Sequence, residues 1–91
     1  MEKDSYALFV DNSGSVGGSQ NYWDTVQMIL TQYGPDISQF YLWNSNCGAC
    51  TKKELESSIN TRRGTGGTSP EFVAYEIVAR RYPKVILVTD G

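Results

Sequence analysis

The chain has 91 residues, ten acidic against eight basic side chains for a formal charge of −2, two cysteines and no histidine. That length makes one small domain, residues 1–91, able to bury only about two-thirds of its unfolded surface. The charge balance leaves no basic face for nucleic acid, the missing histidine removes Ser-His-acid triads, Cys-His pairs and imidazole zinc sites, and no apolar run approaches the ~20 residues of a membrane span.

The start, Met1-Glu2-Lys3-Asp4-Ser5, is polar and acidic rather than a basic lead into an apolar signal segment. The expectation is a cytoplasmic chain, or one from which a targeting signal has been removed. Tyr6-Ala7-Leu8-Phe9-Val10 reads as a strand covered on both faces, because it is a short continuous apolar run bounded by polar residues. Where it ends, Asp11, Ser13 and Ser15 fall at alternate positions in a loop bent by Gly14 and Gly17. Such a loop turns several oxygens toward one small hard cation, although Asp-Asn-Ser-Gly-Ser on its own is also an ordinary polar turn. Neither serine has an evident base, so neither reads as a nucleophile. Ser19 is an N-cap for a helix running to about Tyr33, with Tyr22, Val26, Ile29, Leu30 and Tyr33 on one apolar face. Gly34-Pro35 stops it, with Gly34 expected as a left-handed cap. Phe40-Tyr41-Leu42-Trp43 is a second strand, 44–51 a loop and 52–59 a short helix.

Gly64-Thr65-Gly66-Gly67-Thr68-Ser69-Pro70 is a glycine loop opening a helix, with Ser69 as cap, Pro70 at the first position and Glu71 at the positive end of the dipole. Val73, Ala74, Ile77 and Val78 are its expected buried side, and Tyr82-Pro83 ends it. Val85-Ile86-Leu87-Val88-Thr89-Asp90-Gly91 is a further buried strand running into an acid. Strand, helix, strand, glycine loop, helix, strand implies an α/β fold with a parallel sheet. Ligands in such sheets bind beyond the carboxyl ends of the strands, so Asp11 and Asp90 should converge there. The glycine loop also suits a phosphate at a helix N-terminus, but it lacks the lysine of a P-loop.

Asp11-x-Ser13-x-Ser15, Thr68 after Gly66-Gly67, and Thr89-Asp90-Gly91, in that order, resemble the three-part metal-ion-dependent adhesion site of the von Willebrand factor A family. The likeness runs from about Tyr6 to Gly91. It implies a Rossmann-like three-layer sandwich, with a small, mostly parallel sheet of about three strands and helices on its faces. The C-terminal half of the family fold would be missing, leaving a minimal or truncated domain. It also implies a divalent cation, Mg²⁺ first and Mn²⁺ or Ca²⁺ as substitutes. Ser13, Ser15 and Thr68 match direct or near-direct ligands, and Asp11 and Asp90 match acids that often act through bridging water. Gly14, Gly66 and Gly67 would let the backbone approach the ion. Five oxygens leave a coordination position open, which a Glu or Asp of a protein partner fills in the family. The expected function is thus a metal-dependent protein–protein binding module and not an enzyme.

Other features keep alternatives open. Arg62 and Arg63 form either a basic rim for an acidic ligand or a solvated pair. Cys47-Gly48-Ala49-Cys50 is either a pair of loop thiols or local disulfide, half of a Cys₄ zinc site shared between two chains, or a thiol redox motif with a low-pKa cysteine. The 84–89 strand is expected to form an apolar sheet edge that pairs with another chain, giving a homodimer or higher oligomer. A structural, self-assembling protein with a vestigial or merely stabilising metal site is therefore the second reading. The free carboxylate of Gly91, next to Asp90, is expected to intrude on the site as a further negative group.

Overall fold

The unbroken apolar run of the first strand requires cover on both faces. In the computed structural model of the chain, that strand lies inside a four-stranded mixed sheet of order β3-β2-β1-β4. The structure describes residues 6–45, 47–61, 64, 66, 67 and 70–89, with the backbone alone for Ser15. In chain order the described elements are β1 (Tyr6–Asp11), α1 (Gln20–Tyr33), β2 (Ile37–Trp43), β3 (Cys47–Cys50), α2 (Lys52–Thr61), α3 (Pro70–Arg80) and β4 (Val85–Val88). The chain is a small α/β domain. Strand β1 pairs in parallel with β2 and β4, while β3 runs antiparallel to β2. Among the described residues, no helix is long and apolar enough to cross a membrane.

Side chains alternate across the sheet, so each strand feeds two cores. Leu8 and Val10 face one side, where Trp23, Val26 and Leu30 of α1 and Leu55 and Ile59 of α2 close over them. Ala7 and Phe9 face the other, packing with Tyr41, Trp43 and Val73 of α3. Phe9 and Tyr41 stack with centroids 4.4 Å apart and planes 7° from parallel. Each large apolar side chain buried this way contributes roughly 1.5–3 kcal/mol. The same period of two sends Asp11 toward the α3 face, where the strand leaves the core.

Helix α1 begins as its sequence predicts, the Ser19 hydroxyl accepting the Tyr22 N–H. Its buried set is Tyr22, Trp23, Val26 and Leu30; Trp23 is an addition to the expected face, of which Ile29 and Tyr33 are only partly buried. The end differs from expectation. Gly34 is right-handed (φ −48°, ψ −47°), and the chain tightens into a 3-10 turn, Gly34–Asp36, before β2. Proline at the second position of that turn fits its fixed φ, so no left-handed cap is needed.

Four strands replace the expected three, because the 44–51 loop contains β3. Trp43 pairs with Cys47 and Phe40 with Cys50, leaving a three-residue hairpin connection rich in Asn and Ser. Helix α2 extends to Thr61 and opens on a reciprocal capping box. The Thr51 N–H reaches Glu54 Oε1 at 2.8 Å, and the Glu54 N–H reaches Thr51 Oγ1 at 3.0 Å. Helix α3 starts at Pro70 as expected, but only part of its assigned face is covered. Val73 is buried and Ile77 packs against the core, whereas Ala74 and Val78 are exposed. The last strand lies at the sheet edge, with Leu87 half exposed.

Candidate metal centre

The carboxyl ends of β1 and β4 lie side by side, with Val10 level with Val88. One residue on, Asp11 is fully buried. Its Oδ1 accepts the Ser13 N–H at 2.8 Å, and its Oδ2 accepts the Thr89 hydroxyl at 2.8 Å. Asp-x-Ser therefore folds back on itself in an Asx turn, and Thr89 ties that turn to the neighbouring strand. Ser13, also buried, caps a 3-10 turn over Gly14–Val16, with the Val16 N–H on the Ser13 carbonyl at 3.2 Å.

Two aromatic side chains of α1 hold this loop. The Tyr22 hydroxyl donates to the Asp11 carbonyl oxygen at 2.6 Å, with the Val88 carbonyl oxygen 3.1 Å away, so it bridges the two strand ends. The Trp23 indole N–H donates to the Val16 carbonyl at 2.9 Å. Periodicity assigns Tyr22 to the core and omits Trp23; nothing in it signals that their polar tips fasten a loop. Thr89 enters the sequence reading as part of the Thr-Asp-Gly motif but not as a ligand, and its clamp on Asp11 joins residues 78 positions apart.

The glycine loop meets the first loop backbone to backbone. The Gly14 N–H donates to the Gly66 carbonyl at 3.0 Å. A Cβ on Gly64 would overlap the Ser13 carbonyl oxygen and lie 2.5 Å from the Gly17 nitrogen. A Cβ on Gly17 would sit 3.1 Å from the Gly64 carbonyl oxygen. Gly66 has φ +78°, a conformation that favours glycine. The close approach therefore rests on Gly64, Gly17 and Gly66. A Cβ on Gly67 would meet nothing within 4 Å, and one on Gly14 would make only ordinary contact, so neither is required for the two loops to meet.

Of the five expected ligands, Asp11 and Ser13 are brought together. The Ser15 side chain, Thr68 and Asp90 lie outside the described residues, as do Arg62, Arg63 and Gly91. The donor set present fits a cation better than an anion. Asp11 has no Lys or Arg partner among the described residues, where the ion pair seen is Arg80–Glu76 on α3. Beside it, Asn12 Oδ1 is a buried acceptor with no donor among those residues. A buried carboxylate and an orphaned carbonyl oxygen make the loop rich in acceptors. A phosphate here would meet the acceptor oxygens of Asp11 and Asn12, which weighs against the phosphate reading.

Cys47 and Cys50 stand three apart on β3 and face opposite sides of the sheet, Cys47 on the α3 core and Cys50 on the α1–α2 core. Both are free. Burial, with Glu76 nearby, pushes the Cys47 thiol up to about 11; burial, with Glu54 nearby, does the same to Cys50. A redox cysteine needs a lowered pKa, and a disulfide or shared zinc needs converging sulfurs. This pair offers neither. The chain matches no protein-family model and no curated protein.

Proposed function

We propose that this chain is a binding module of the von Willebrand factor A type, with a Rossmann-like sheet whose carboxyl end holds a divalent cation for a protein partner. The observation that carries the reading is Asp11, a fully buried carboxylate clamped between the ends of β1 and β4 with no cationic side chain beside it among the described residues. Asp11, Ser13, Ser15, Thr68 and Asp90 would hold the ion, preferably Mg²⁺, with Mn²⁺ or Ca²⁺ as substitutes. When bound, such an ion supplies a hard positive centre that anchors a carboxylate. The partner accordingly presents a Glu or Asp. The chain's own part is to set the acid and hydroxyls in place: Tyr22 and Thr89 lock the strand ends, and Gly64 seats the glycine loop. With no histidine in the chain to serve as a base, the site reads as one for binding and not for turnover.

A thermal melt in EDTA and in Mg²⁺, Mn²⁺ or Ca²⁺, run beside Asp11→Asn and Ser13→Ala, tests this. Free metal at a hundred times its dissociation constant adds about 2.7 kcal/mol, or a rise of roughly 10–20 °C for a domain of this size. The rise is expected in the native chain and is lost in both variants. A native chain whose melt ignores all three metals would sink the reading. The second reading, a structural self-assembling protein, is favoured by a different observation: β4 ends the sheet with Leu87 half exposed. It predicts association through that edge, independent of metal.

A further inference from the structure

Helix α3 is apolar on two sides, and the sheet covers only one of them. Val73 and Ile77 face the core, while Glu76 turns toward β2 and reaches the Tyr41 hydroxyl at 3.2 Å. On the opposite side Ala74, Tyr75 and Val78 stand in solvent, Tyr75 72% and Val78 75% exposed, with Phe72 43% exposed on the flank. With Glu71, the first three line a shallow apolar depression of about 430 Å³. Together these side chains make an open apolar patch on the order of 400 Å², the size of the largest patch on an ordinary monomer, which is often functional.

We propose that this outer face of α3 binds the same face of a second copy of the chain, with the two helices antiparallel about a two-fold axis. The charges of the helix select that occupant. Glu71 sits in its first turn, and Arg80 and Arg81 sit at its end. Arg80 is engaged by Glu76, while Glu71 and Arg81 make no ion pair among the described residues. An antiparallel twin sets Glu71 of each copy against the Arg81 end of the other, so both ends are matched by one operation. Between them, Ala74 leaves a hollow beside the Tyr75 and Val78 ridges, which ridge-into-groove packing can fill with the twin's Tyr75. Two such faces bury roughly 800 Å² of apolar surface plus a polar rim, which places the dimer at the weak end of specific interfaces.

This surface differs from the β4 edge and from the metal centre, and one experiment separates all three. Sedimentation velocity on the 91-residue chain from 10 to 500 µM, with and without EDTA, is expected to show a reversible dimer indifferent to the chelator. Val78→Glu and Tyr75→Lys should each weaken it at least tenfold without altering the thermal melt. Glu71→Arg and Arg81→Glu should each weaken it several-fold, and the two together should restore it. Leu87→Lys should leave it unchanged. A monomer throughout, a dimer that survives Val78→Glu and Tyr75→Lys, or one abolished by Leu87→Lys with the fold intact would overturn the proposal.

Discussion

A carboxylate without exposed surface must be compensated by donors, and Asp11 takes two, from the Ser13 amide and the Thr89 hydroxyl. The loop making those bonds is itself held by a residue with no functional group. Gly64 lies where a methyl group would strike the Ser13 carbonyl and the Gly17 backbone, neither of which can swing away as a flexible side chain does. Gly64→Ala is therefore expected to cost about 3 kcal/mol or more, as overpacking against rigid backbone does. That lowers the melting temperature by roughly 12–24 °C. Gly67→Ala, three positions on and unobstructed, should stay within about 0.5 kcal/mol of the native chain. Equal effects of the two substitutions in parallel melts would mean that the loops do not meet as described. Asp11 and Ser13 were legible from the sequence because acid and hydroxyl residues at a strand end form Asx turns locally. Gly64 was not: its constraint comes from a segment some fifty positions earlier, and a run of glycines does not say which member is confined.

Among the elements, legibility followed how local the causes were. Helix α1 announced itself through Ser19 and a 3.6-residue period, and α3 through Ser69-Pro70-Glu71. Strand β3 did not, since Cys-Gly-Ala-Cys has little strand preference of its own and forms by pairing with the free edge of β2. The extent of α3's buried face was also misjudged, because spacing marks an apolar residue but not whether a neighbour covers it. The end of α3 carries its own strain. Arg81 is left-handed, φ 54°, while the Arg81 N–H bonds the Val78 carbonyl and the Tyr82 N–H the Ile77 carbonyl. These are the paired bonds of a Schellman cap, a position that usually holds glycine. The left-handed conformation costs a non-glycine residue roughly 1–2 kcal/mol. Part of that is offset by the arginine charge near the helix C-terminus and by the greater unfolded freedom of glycine. Arg81→Gly is expected to gain about 0.5 kcal/mol and Arg81→Val to lose more than 1 kcal/mol. Urea midpoints measured at low micromolar concentration will separate the two; a loss in Arg81→Gly would contradict the cap.

At the scale of the whole molecule, burying both sheet faces places three weak acids where their charged forms are disfavoured. The Cys47 and Cys50 thiols are raised from 9.0 to about 11, each by burial first and a nearby glutamate second. Tyr41 is raised above its ordinary 10.0 by burial and by its hydrogen bond to the Tyr82 hydroxyl, at 2.6 Å. All three remain protonated in the folded chain after the unfolded chain has begun to release their protons. Above pH 9 the unfolded state then binds fewer protons than the folded one, so the slope of stability against pH is negative. The stabilisation is complete below about pH 9 and declines as pH climbs through 9 to 11 for the thiols, with Tyr41 extending the loss upward. Both cysteines are partly exposed, and solvent screening reduces their share. Urea midpoints taken from pH 7 to 11 should be insensitive to these groups up to about pH 8.5 and then fall. A Cys47→Ala, Cys50→Ala chain should fall less steeply over the same interval, the remainder belonging to Tyr41. In the folded native chain both thiols should react with a disulfide reagent at pH 8 more slowly than a free cysteine does. Reaction faster than free cysteine, or stability that climbs between pH 9 and 11, would mean that these groups are more open and more acidic than the two-sided sheet allows. It would also reopen a redox role for β3.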